Sequence, residues 1–245
     1  MTTNVEQHVV ERIVGAPVMA RPFPHFFVED IFPEDFYARL LEHMPGNDCY
    51  VPLGETPYVN KGAYMERLVL ELTDAEIDRL PGETGTFWRE TNRWLTGAAL
   101  LYAMCGKFAD IVAARFGDSL DTVAFAPQTI VVRDQTNYAI GPHTDSEQRF
   151  LSGLFYCPSD NSMEHLGTSI YEPLDRSFRC RGGPHYGFDK FANVRTMPFR
   201  RNSLFCFVKT DYSFHGVEPI ADEAVERDLI LYNLRVVDLA KAATA

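Results

Sequence analysis

The chain has 245 residues, 46% of them hydrophobic and 23% charged, the balance of a globular protein long enough to bury a sizeable core. Its formal net charge of −11 argues against nucleic acid or an anionic membrane as a main partner. No apolar run approaches the roughly 18 residues of a membrane span, and residues 1–8 lack the basic and apolar regions of a signal peptide. Five scattered cysteines (Cys49, Cys105, Cys157, Cys180 and Cys206), none in a C-x-x-C pair, read as reduced thiols. A cytoplasmic protein is expected.

Taken in order, about the first 20 residues are polar or mixed and predict no element. Residues 21–30 predict a short strand that their prolines confine to an edge. Residues 33–44 predict an amphipathic helix, with Phe36, Tyr37, Leu40, Leu41 and Met44 on one face and Pro45-Gly46 ending it. From 47 to 72, Pro52, Gly54, Pro57 and Gly62 break up any regular element. Thr73 opens a short helix closed by Pro81-Gly82, and residues 86–116 carry helical spacing with a break at Gly97. The aromatics of this half read as core rather than as a cofactor box.

After Gly117 the pattern changes. Residues 122–126, 129–133, 150–156, 168–171, 203–208 and 228–237 read as strands separated by Gly, Pro, Asn and Asp turns. No helices alternate with them, so the sheet should be antiparallel, in a sandwich or jelly roll. The expected fold is α+β and mainly antiparallel β. It forms a single domain over 1–245, with residues 1–120 as helical support and 121–240 as the β core.

Three residues carry metal chemistry. His143 and Asp145 stand two apart in His143-Thr144-Asp145, and side chains two apart on an extended strand share a face. His215 opens a later apolar segment, and Gly216 beside it permits close backbone approach. Two imidazoles and one carboxylate hold non-haem Fe(II) while leaving coordination positions open. Taken singly, either histidine reads as an ordinary core or surface residue. Together with Arg227, twelve residues past His215, they read as a metal site. His25, His43, His165 and His185 have no such context and stay unassigned.

This set resembles the Fe(II)/2-oxoglutarate-dependent dioxygenases, and residues 22–33 look like the N-terminal strand and helix entry of their prolyl-hydroxylase-like branch. The resemblance implies a double-stranded β-helix of the cupin-like jelly-roll kind. It also implies Fe(II), 2-oxoglutarate and O2 as cofactor and co-substrates, with His143, Asp145 and His215 as catalytic metal ligands. Arg227 takes the place of the arginine that binds the far carboxylate of 2-oxoglutarate; Arg235 is a rival, but lies twenty residues past His215. Tyr138, Tyr156 and Asn233 are candidates for further 2-oxoglutarate contacts, with the tyrosines equally readable as packing aromatics. Thr144 should point away from the metal.

The implied reaction is hydroxylation of an unactivated C–H bond, with desaturation, epimerisation or ring closure open to the same oxidant. Asp145 argues against halogenation, for which related enzymes carry a small residue. A cupin-type enzyme without 2-oxoglutarate would bring an H-x-H pair, which is absent. A non-catalytic jelly-roll binding module would not need the ordered set. The substrate is expected to be a small molecule, although the family also admits a prolyl residue. Arg179, Arg181, Lys190, Arg195, Arg200 and Arg201 form either a solvated loop or a lid over the site that recognises a carboxylate or phosphate.

Overall fold

A computed structural model describes residues 4–238, without the side chains of 118, 119 and 238. Residues 239 and 240 of the expected β core lie outside the described residues. Six helices gather in the first half: α1 (Val5–Gly15), α2 (Glu34–Glu42), α3 (Asp74–Ile77), α4 (Gly82–Leu95), α5 (Ala98–Lys107) and α6 (Ala109–Phe116). α1 corrects the expectation of no element there. Asn4 caps it by accepting the Gln7 N–H at 3.3 Å, but it buries only Val9 and Ile13, too narrow a stripe to stand out in the sequence. α3 starts at Thr73, whose hydroxyl accepts the Glu76 N–H. The break at Gly97 is present, and Phe108 makes a second one that the apolar spacing concealed. No described helix is long and apolar enough to cross a membrane.

Seven antiparallel strands form the larger sheet, in the order β1 (His25–Glu29), β9 (Ser203–Val208), β6 (Arg149–Tyr156), β11 (Glu226–Asp238), β4 (Val123–Gln135), β3 (Arg67–Glu71), β2 (Val51–Pro52). The smaller sheet runs β5 (Ile140–His143), β10 (His215–Val217), β7 (Thr168–Pro173), β8 (Phe191–Met197). β1 is at an edge, as its prolines require. β3 was hidden among breakers in a segment expected to be irregular. β4 is one strand through Pro127 rather than two. The β3 ladder ends at Ile130, so Pro127 faces no partner on that side and removes no ladder bond there. β8 lies inside residues 179–202, so loop remains in that segment only before and after the strand.

The larger sheet separates two cores. Its outer face packs Val131, Phe155, Leu204, Ile230, Tyr232 and Leu234 against the helices. Its inner face sets Val132, Leu154, Tyr156, Phe205, Phe207 and Leu229 toward the smaller sheet. On β11 the alternation of side chains therefore sends 230, 232 and 234 to the helices. Arg227, Leu229, Leu231, Asn233 and Arg235 go to the space between the sheets. That face of β11 is charged at one end, apolar in the middle and polar at the other.

Candidate metal centre

β5 and β10 lie side by side with His143 opposite His215 in register. β5 ends at His143, so a shared strand face is not what aligns Asp145. The chain turns, and two neighbours hold the carboxylate instead. Arg149 Nη1 donates to Oδ1 and Ser152 Oγ to Oδ2, each at 2.7 Å. Gly216 keeps β10 close: a Cβ there would stand 2.5 Å from the Ile140 carbonyl oxygen. The ligand atoms of His143, Asp145 and His215 all lie within 4.8 Å of one another, and all three residues are buried.

The ring orientations suit a cation. His143 Nδ1 lies 2.9 Å from the Gly141 carbonyl oxygen, and His215 Nδ1 lies 3.0 Å from that of Ser213. A carbonyl only accepts, so each Nδ1 carries the proton and each Nε2 keeps its lone pair. Burial, reinforced by the His215 ring, holds His143 well below the usual histidine range, and burial also lowers His215. Both rings are thus neutral near pH 7. Burial pushes the Asp145 carboxyl up, but the Arg149 charge, the histidines wherever they are protonated, and the Ser152 hydroxyl outweigh it, so the carboxylate stays ionised. Two neutral imidazoles and a fixed anion, with no fourth His, Cys, Asp or Glu joining them among the described residues, fit a divalent metal with open positions.

His143 and Asp145 open on a cavity of about 750 Å³, walled by Ile130, Ile140, Leu231, Asn233 and His185 among others. Thr144, between the two ligands, lines the same cavity, and its hydroxyl donates to the Cys180 carbonyl at 2.8 Å. That bond ties down the loop after β7. Gly182 brings the loop across Asp145 at φ +126°, and Tyr186 N–H donates to the Pro142 carbonyl at 3.0 Å. His185 in this loop stands with its ring centroid 4.5 Å from that of His143, and its Nδ1 contacts the Tyr64 hydroxyl. A lone histidine in a Gly-rich loop gave no sign of this. Of the basic cluster that could be a solvated loop or a lid, the last two arginines lie away from the site. Arg200 pairs with Glu29 and Arg201 with Glu34, on the side of α2 and β1.

Arg227 sits fully buried at the far end of the same sheet face. Its Nε donates to the Leu166 carbonyl and its Nη1 to Asp134, both at 2.6 Å, and Nη2 lies 3.3 Å from Thr168 Oγ1. Thr168 is two residues from Ile170, the strand partner of His215, so this cluster adjoins the metal centre. Tyr156 donates its hydroxyl to Thr168 at 2.8 Å and lies under the Arg227 guanidinium. Asp134 also takes Arg67, through Nε at 2.6 Å and Nη2 at 2.9 Å. Two guanidiniums therefore share one buried carboxylate. Tyr138 is buried beneath Arg67 with its hydroxyl unpartnered. Asn233 is buried with both side-chain polar atoms unpartnered. Arg67, Asp134, Arg149 and Ser152 went unnoticed in the sequence and His185 stood unassigned, because their roles come from strand register and loop path rather than from any motif.

No protein-family model matches the chain, and no curated protein sequence does. Solved structures do. A prolyl 4-hydroxylase from Phytophthora capsici aligns over 96% of this chain with a TM-score of 0.54 at 14% identity, and this chain spans 66% of that protein's length. A 2OG-Fe(II) oxygenase family protein from Burkholderia pseudomallei aligns over 94% of this chain and 89% of its own, at 12% identity and TM-score 0.48. HygX from Streptomyces hygroscopicus, with nickel and 2-oxoglutarate bound, aligns over 86% and 82%, at 12% identity and TM-score 0.47. The chain has the fold of the prolyl 4-hydroxylase, a mixture of helices and antiparallel sheets.

Proposed function

We propose that the protein is an Fe(II)- and 2-oxoglutarate-dependent oxygenase that hydroxylates a C–H bond of a small molecule. The observation that carries this reading is the buried His143, Asp145 and His215 set, with both Nε2 lone pairs and an ionised carboxylate brought together at a cavity. These donors suit Fe(II), which with 2-oxoglutarate and O2 would supply the oxidising equivalents and release succinate and CO2. A halide would need the place that Asp145 holds. The order of strands in the two sheets supports a double-stranded β-helix, and the shared helix–sheet core supports a single domain over 1–245.

The chain's own residues prepare the site. The carbonyls of Gly141 and Ser213 fix the two rings, and Arg149 and Ser152 fix the carboxylate, so the ligands need no reorganisation. The loop held by Thr144 lies across the Asp145 backbone. Toward the far carboxylate of 2-oxoglutarate the chain offers Arg227, with three nitrogens anchored, and the unpartnered Tyr138 hydroxyl. The uncompensated charge of the Arg67–Asp134–Arg227 cluster supports a dicarboxylate there. With its own proton given to Thr168, Tyr156 serves as the platform under Arg227. A cavity of about 750 Å³ is in the range of small-molecule sites.

Protein supplied with Fe(II) and 2-oxoglutarate in air should release succinate, and Asp145→Ala should release none above the protein-free blank. Equal succinate from Asp145→Ala would contradict the assignment.

A further inference from the structure

Resting on the oxygenase reading, we propose that the polar end of β11 is the primary-substrate site. It takes a small molecule bearing an amide and a free carboxylate; Asn233 reads the amide and Arg235 holds the carboxylate.

Asn233 is 1% exposed and lines the cavity, yet neither its Oδ1 nor its Nδ2 has a partner. A buried polar group left in that state keeps its full desolvation penalty, so a wholly unpaired amide marks the place of an occupant. Its location is beside the metal centre: Asn233 stands opposite Ser152 in register, and Ser152 holds the Asp145 carboxylate. Arg227 is six residues away on the same strand, about 20 Å of chain, so the two side chains stand at opposite ends of one strand face.

The chemistry of the occupant follows from what Asn233 offers. It has an acceptor and a donor side by side. A carboxylate there would satisfy Nδ2 and repel Oδ1, and an ammonium would do the reverse. A neutral group with its own N–H and C=O satisfies both. Arg235, two residues on and lining the same cavity, is exposed, and its guanidinium makes no hydrogen bond or ion pair among the described residues. The nearby acids are already engaged. Glu71 accepts Gln128 Nε2 at 2.6 Å on one oxygen and the Tyr58 hydroxyl on the other, and Glu76 pairs with Arg79 at 2.8 Å. Arg235 therefore presents its fork to an incoming anion, and a carboxylate fits it bidentately.

The test uses the full chain with Fe(II) and 2-oxoglutarate, and N-acetylated amino acids as probes beside their methyl esters and the corresponding free amines. Absence of the visible iron–2-oxoglutarate band in the wild type would remove the oxygenase reading on which the proposal rests. With the band present, N-acetyl acids should raise succinate release several-fold and show calorimetric binding under argon, while the esters and free amines bind at least tenfold more weakly. Asn233→Leu and Arg235→Ala should each weaken that binding about tenfold, with the band still forming as the check on folding. No preference for the N-acetyl acids with the band intact would overturn the proposal. Binding unchanged in Asn233→Leu would overturn it equally.

Discussion

The two ends of one face of β11 are built on opposite principles. At the Arg227 end the protein satisfies its own polar groups but for the Tyr138 hydroxyl: Asp134, Leu166 and Thr168 take three nitrogens of a fully buried guanidinium. At the Asn233 end it leaves a buried amide with nothing to bond. Leu229 and Leu231 lie between them. A saturated end is ordered before any ligand arrives, which suits a co-substrate common to every turnover. An unsatisfied end is costly until filled, which suits the molecule that defines specificity.

The strongest way to break this contrast is at the proposed metal ligands. His143→Ala should abolish iron binding by 2-oxoglutarate and all succinate release; a variant that keeps either places the centre elsewhere. Next is Arg227→Ala. Removing one partner of a buried ion pair costs about 3–5 kcal/mol, and the remaining Arg67 should bring the loss toward the lower figure. Urea unfolding would measure it, and an unchanged midpoint would show that the closed end is not held by its own ion pairs. At the open end the sign reverses. Asn233→Leu replaces an unpartnered amide by a side chain of similar volume, so the ligand-free protein should gain about 1–3 kcal/mol in the same measurement.

Tyr138→Phe removes the single unpartnered hydroxyl found at the closed end. It should weaken 2-oxoglutarate binding about tenfold, from a lost hydrogen bond to a charged group of about 1.5 kcal/mol, while stability stays within about 1 kcal/mol of wild type. Smallest is the surface. Arg201→Ala breaks an exposed pair with Glu34 and should cost less than about 1 kcal/mol, with substrate binding unchanged.

The centre also sets a pH dependence. His143 and His215 are held below 6.5, the value of an unburied ring. Below that pH the unfolded chain takes up protons that the native state refuses, so metal-free protein should lose stability as pH falls from about 7.5 to about 5.5. A rising urea midpoint over that interval would mean that the rings are charged in the native state.

The motif residues were legible because they are named by type and spacing. His143, Asp145, His215 and Arg227 form such a set, and the structure brings the first three together. The groups that orient them were not legible. Ser152 reaches Asp145 because β6 returns beside it, and Asp134 meets Arg227 by register across β4 and β11. Neither the short turn from Asp145 to Ser152 nor pairing between distant strands is named by residue type and spacing. α1 was missed because only Val9 and Ile13 turn inward, and β3 because breakers surround it. The arginines of residues 179–201 were open to two readings, and the structure divides them: past β8, Arg200 and Arg201 pair with Glu29 and Glu34, while before it Arg181 lies 4.0 Å from Glu147, next to the Gly182 that crosses Asp145.

Anaerobic titration of the full chain with Fe(II) and then 2-oxoglutarate tests the central claim most directly. Chelation of the metal by the 2-oxo acid gives a weak visible charge-transfer band. The band should appear, saturate at one equivalent per chain and be lost in Asp145→Ala. Its absence from folded protein holding Fe(II) would contradict the assignment of His143, Asp145 and His215 as the iron centre of a 2-oxoglutarate-dependent oxygenase.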